Sequence, residues 1–175
     1  MVTFLQRMMI NMGLFTGIKD KRIATSRLND KEGRSWQRLD SVSTEETREK
    51  RDYLKVRKTI VKVLEGEDSN PVGSEPSHAM FPDKYGYFFV DVKKLIRAGL
   101  GVTTEEVNAL TETEVQGILD EKLLDGRTVE VLVTSKEGKD GKNYPVINYL
   151  RQVSKGEIAD HLSKDEIKRF WPEGL

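Results

Sequence analysis

The chain has 175 residues, no cysteine and a formal net charge of zero, a length that suits one ordinary domain with a real core. The missing thiols exclude disulfides, thiolate metal sites and a cysteine nucleophile, which fits an intracellular protein, and the zero charge excludes attraction of the whole molecule to nucleic acid or acidic membranes. The charge is nevertheless uneven: residues 1–60 hold 14 Lys and Arg against 8 Asp and Glu, a net of +6, and residues 61–175 hold 15 against 21, a net of −6. That split leaves room for a basic front and an acidic back.

The chain opens on MVTFLQRMMINMGLF, an apolar run broken by Arg7 and Asn11, too short to span a bilayer and followed by no small-residue cleavage pattern. It reads as neither signal peptide nor membrane span. Phe4, Met8, Ile10 and Leu14 suit a short amphipathic helix there, and Met8, Met9 and Met12 offer alternative starts. Residues 17–49 are polar and are expected to form an extended arm or irregular loops. Trp36 stands between Arg34 and Arg38, where it can plug a core or stack on a base.

Residues 51–64 carry the strongest strand pattern of the first half. Leu54, Val56, Lys58 and Ile60 share one face, and Tyr53, Lys55, Arg57 and Thr59 share the other. The polar side changes near Lys58 and Thr59, which predicts a bulge or sharp coil of the kind found in small barrels. Tyr53, Lys55 and Arg57 together make the aromatic-plus-cation pattern of a single-strand groove, and equally that of a solvent-facing strand. After the turn-rich GEDSNPVGSEP and a short run at 77–81, residues 85–90 (YGYFFV) predict a further strand, with Tyr87 and Phe88 on opposite faces, one in the core and one a stacking platform.

The period then changes from two to about 3.6. Val92, Leu95 and Ile96 predict a helix that closes at residues 98–101. Thr103 with Glu106, and Thr111 with Glu114, have capping-box spacing, so two short helices are expected to bury Val107, Leu110, Val115, Ile118 and Leu123. Glu105, Glu106, Glu112, Glu114, Asp120, Glu121 and Asp125 face a single Lys122 in this stretch. Such an insert is expected to lie away from any phosphate-binding face.

Val129, Val131 and Val133 alternate with Glu130 and Leu132, then a polar loop precedes a second β-prone run at 144–153. This is a predicted hairpin. Its loop carries Lys136, Lys139 and Lys142 at three-residue spacing, a basic finger able to lie along a phosphate backbone. Residues 156–171 read as two short helical turns, the second with a capping box from Ser163 to Glu166 and ending on Phe170 and Trp171, a pair that docks on its own domain or on a partner.

The basic strand, the Val72-Gly73-Ser74 loop, the aromatic strand running into DVKKLIRAGLGV, the acidic insert with Glu105-Glu106-Val107, and LDGRTVEVLV followed by GKNYPVINYL resemble OB-fold single-stranded DNA-binding proteins of phage replication and recombination modules. The resemblance covers about residues 50–153 and implies a β-rich α+β chain: a small five-stranded OB-like β-barrel with inserted and terminal short helices. The division expected is a helix and polar arm over 1–49, the OB-like domain over 50–153 with its helical insert at 91–123, and short helices over 154–175. The implied activity is non-catalytic binding of single-stranded DNA in the cytoplasm of an infected host cell, with no cofactor, metal or membrane. Phosphates would follow Lys55, Arg57, Lys58, Lys136, Lys139 and Lys142. Trp36, Tyr53, Phe88 and Tyr149 would offer rings to bases, and the Phe170/Trp171 region could recruit replication or recombination proteins. The chain departs from the pattern in its zero net charge and in ending on Glu173-Gly174-Leu175 without a strongly acidic tail. Two other classes remain: a phage structural or host-interaction protein on a β-barrel scaffold, and a metal-dependent nuclease using some of Glu65, Glu67, Asp68, Asp83 and Asp91. His78 and His161 lack metal-spaced partners and read as structural. Salt separates the first two readings, because counterion release makes nucleic-acid binding salt-sensitive and an apolar protein contact is far less so.

Overall fold

The computed structural model describes residues 28–66 and 69–175; the amphipathic segment expected at residues 1–15 lies outside them. Strands β1 (Gly33–Glu46), β2 (Asp52–Glu65), β3 (Ser77–Met80), β4 (Thr128–Glu137) and β5 (Asn143–Gln152) form one antiparallel sheet in the order β3-β2-β1-β4-β5. The described residues also form helices α1 (Tyr87–Leu100), α2 (Thr104–Asn108), α3 (Glu112–Asp120), α4 (Lys155–His161) and α5 (Lys164–Phe170). The architecture is α+β.

β1 corrects the expected polar arm. It is the central strand, paired with β2 on one side and β4 on the other. Its pattern was hidden because two of its buried positions, Ser35 and Gln37, are polar. Gln37 Nε2 donates to Ser35 Oγ at 2.9 Å and Gln37 Oε1 accepts from Asn29 Nδ2 at 3.4 Å, so each of these buried polar atoms has a partner. The bulges expected around Lys58 are present. Asp40 is the extra residue on β1 between the pairs Leu39–Lys58 and Ser41–Arg57, and Val61 is the extra residue on β2 between Trp36–Lys62 and Gln37–Ile60. Bulges increase local twist, and the sheet coils.

The coil brings its two edge strands together. Tyr149 on β5 places its hydroxyl 2.9 Å from Nδ1 of His78 on β3, although these strands lie at opposite ends of the sheet order and exchange no ladder hydrogen bonds. The sheet is therefore not closed into a barrel by backbone pairing. Inside the coil, Leu39, Val56, Leu95, Ile96, Val129 and Val131 form the main core, with α1 packed against β5 and β4. On the outer face, Trp36, Val61, Val153, Ile158, Leu162 and Phe170 form a second core beneath α4 and α5. Two-sided cover explains why Lys58, Thr59, Ile60 and Val61 are buried in succession.

The strand expected at residues 85–90 is replaced by a turn and the first residues of α1. Phe88, Val92, Leu95, Ile96 and Gly99 continue one helical stripe backwards past the expected start, and the core it faces outweighs the β-propensity of single aromatics. Gly86 at the N-cap is left-handed, with φ 79°, a conformation glycine adopts at little cost. The two insert helices carry both expected capping boxes. They bury Val107 and Ile118, but Leu124 rather than Leu123 enters the core. The hairpin pairs as expected, for example Val131 with Tyr149. Its Pro145 sits in β5, an edge strand, where a missing donor is tolerated.

Candidate nucleic-acid interface

α4 and α5 cover only part of the outer face. Near the β1–β2 turn, β2 presents Tyr53, Lys55 and Arg57 on one side, opposite the buried Leu54 and Val56. Ala79 and Ser77 of β3 lie beside Lys55 and Arg57 in the ladder. Glu45 on β1 organises the row: it accepts from the Tyr53 hydroxyl at 3.1 Å and lies 3.8 Å from Lys55 and 3.9 Å from Arg57. That hydrogen bond to a carboxylate is the main reason the Tyr53 phenol is held above its ordinary pKa.

The ladder pairs Leu54 with Met80, and the next residue, Phe81, stacks on Tyr53 with ring centroids 4.8 Å apart and planes 19° apart. The Arg51 guanidinium lies 5.2 Å from the Phe81 centroid, a cation–π distance. On one side of this pair is a polar cavity of about 680 Å³ lined by Arg38, Lys55, Arg57, Asp40, Glu75 and Ser77 among others. On the other side an apolar groove of about 650 Å³ runs between Tyr53, Phe88 and Phe89 and the residues Leu110, Val115 and Leu119 of the insert. The insert therefore borders the candidate face instead of lying away from it, and Glu112 stands in the groove wall.

The predicted site residues separate into three sets. Tyr53, Lys55 and Arg57 share the outer face, with Phe88 half-buried in the adjoining groove. Lys136, Lys139 and Lys142 are exposed around the β4–β5 turn, whose Asp140 accepts from the Lys142 amide and the Tyr144 hydroxyl. That turn lies beyond the Gly33 end of β1, whereas Tyr53 lies near its Glu46 end. The loop and the strand residues are not brought together.

Trp36, Lys58 and Tyr149 form the third set and correct the expectation that they face a ligand. Trp36 is buried under α4 and α5, its indole N–H donating to Glu130 at 3.1 Å. Lys58 and Tyr149 lie inside the coil at 0% and 1% exposure, Lys58 because the bulge at Asp40 and the neighbouring core fix its inward register. Its ammonium nitrogen is 3.4 Å from the Tyr149 hydroxyl. Burial brings the Lys58 amine down to about 7 and His78 down to about 3, with the Lys58 charge also disfavouring the imidazolium, and burial pushes the Tyr149 phenol up. Phe170 is likewise interior, so the Phe170/Trp171 pair docks on its own domain.

Phe81, Arg51 and Phe89 escaped the sequence reading. Phe81 joins Tyr53 through the β2–β3 register, which a four-residue strand does not announce, and the aromatic run around Phe89 carries a strand pattern that hides its place on a helix. Among the described residues no three His, Asp or Glu side chains converge as metal ligands, and no helix is long and apolar enough to cross a membrane. Comparison of the chain with known protein families and with curated proteins gives no match to either. Fold and face define a class: an α+β protein on a coiled five-stranded antiparallel sheet, with a mixed aromatic and cationic outer face.

Proposed function

We propose that the protein is an OB-like single-stranded DNA-binding protein, acting without catalysis in phage replication or recombination, and that DNA lies on the outer face of β2 and β3. The supporting observation is the Tyr53–Phe81 stack with Arg51 over it and Lys55 and Arg57 in the same row. Rings supply stacking to any base, and cations supply the sequence-blind attraction to phosphate. An OB-like reading also suits β1 pairing with both β2 and β4, the helix between β3 and β4, and edge strands that meet through His78 and Tyr149.

Fluorescent single-stranded and duplex oligonucleotides titrated at two salt concentrations test the proposal. Single strands should bind more tightly than duplex, with log affinity falling as log salt rises. Lys55→Ala with Arg57→Ala should weaken all sequences alike and make the salt slope shallower by about 0.7 per lost phosphate contact. Equal indifference to both forms, or binding that ignores salt, overturns it.

A further inference from the structure

We infer that the apolar groove lined by Tyr53 and Phe89 receives bases from the strand whose phosphates follow Lys55 and Arg57. This rests on the outer-face reading and assigns that face a second compartment. Tyr53 is the common wall: it belongs to the cationic row and also lines the groove. Phe89, a second ring in the lining, is 65% exposed beside the exposed Val90, and contiguous exposed apolar surface marks an interaction site. At about 650 Å³ the groove lies within the ordinary range for small-molecule pockets.

Charge selects which part of a nucleotide enters. Asp52 and Glu112 stand in the walls against Lys93, and α3 adds Glu114 in its first turn. These carboxylates repel phosphate over a range of about 8–10 Å. A neutral base escapes that penalty and gains ring contacts. The phosphates then remain on the side of Arg51, Lys55 and Arg57. Where the chain enters α1, Tyr85 and Tyr87 are exposed as well, their ring centroids 5.9 Å apart, with Lys84 Nζ 5.0 Å from the Tyr85 centroid. Rings set beside cations, Phe81 by Arg51 and Tyr85 by Lys84, match bases and phosphates better than an acyl chain or an aliphatic peptide.

Full-length protein and its Phe89→Ala and Phe89→Trp variants, titrated with oligothymidylate and with an abasic strand of equal length, test the inference. Phe89→Ala should weaken oligothymidylate binding about thirtyfold, the middle of the range for one stacked base, with an unchanged salt slope. Its affinity for the abasic strand should equal the parent's. The exposed position predicts an unchanged melting midpoint, which separates lost stacking from lost folding. In Phe89→Trp, oligothymidylate should quench the added indole emission and the abasic strand should not. Phe89→Ala binding oligothymidylate like the parent, or losing equally on both strands, overturns the groove assignment. If Lys55→Ala with Arg57→Ala still weakens binding in that case, the outer-face reading stands. A parent protein that binds neither strand overturns both.

Discussion

Lys58 shows how a residue's role is set by register rather than by type. It alternates with Arg57 on one strand, yet Arg57 faces solvent and Lys58 is wholly enclosed with a phenol and an imidazole for company. Asp91 on α1 is the carboxylate felt by Tyr149, and burial holds that acid above its ordinary value. A displacement of the amine from 10.5 to about 7 corresponds, at about 1.36 kcal/mol per pH unit, to roughly 5 kcal/mol against the folded, protonated form. The unfolded chain binds more protons between those two values, so stability rises with pH from about 7 to 10.5 and is lowest below about 7. His78 adds a second rising window from about 3 to 6.5. Lys58→Met, which keeps an unbranched chain and removes the amine, should raise stability at neutral pH by roughly 2–4 kcal/mol. It should also flatten the upper window and narrow the His78 window, which burial then maintains without the repelling Lys58 charge. Urea unfolding midpoints measured from pH 3 to 10 check both windows, and a variant no more stable than the parent at neutral pH would remove the amine from the stability account.

Among the elements, those with local punctuation were legible and those decided by tertiary cover were not. The capping boxes at Thr103, Thr111 and Ser163 were each readable from a Ser or Thr followed three residues later by Glu, and all three helices start there. The hairpin was readable from its alternating valines. β1 was not, because its interior positions Ser35 and Gln37 look like solvent-facing residues until their partners are known. The choice of Leu124 over Leu123 is of the same kind, since adjacent leucines carry no periodic signal. The second core gives the strongest prediction at this scale. α4 and α5 are seven residues each, too short to persist alone, and they are held through Phe170, whose carbonyl also accepts from Arg38. Phe170→Ala should cost about 3–5 kcal/mol, seen as a lowered unfolding midpoint. By contrast, Thr111→Ala removes one exposed cap and should cost about 1 kcal/mol, confined to α3. Hydrogen exchange should show protection lost over residues 154–171 in the first variant and over 111–121 in the second.

At the scale of the whole molecule, the row Tyr53, Lys55 and Arg57 was legible because alternation alone fixes which residues share a strand face. The loop lysines were legible as exposed cations, but their distance from that row was not, because it depends on the pairing of β1 with both neighbours. From Tyr53 the path runs to Glu65, across the Arg34 pair to Leu132 and on to Glu137. At about 3.3 Å per residue this is roughly 55 Å along the strands, shortened in a straight line by coiling. A strand of about five nucleotides cannot bridge it, whereas one of about thirty can even at the ~3.4 Å per nucleotide of stacked DNA. Lys136→Ala, Lys139→Ala and Lys142→Ala together should therefore leave binding of the short oligonucleotide unchanged. The same triple variant should weaken the long one and make its salt slope shallower by up to about 2, at about 0.7 per phosphate contact. Lys55→Ala with Arg57→Ala should weaken both lengths. Fluorescence anisotropy with the two lengths distinguishes these patterns, and equal weakening of the short oligonucleotide by the triple variant would mean that the hairpin loop folds back over the aromatic end instead of standing apart from it.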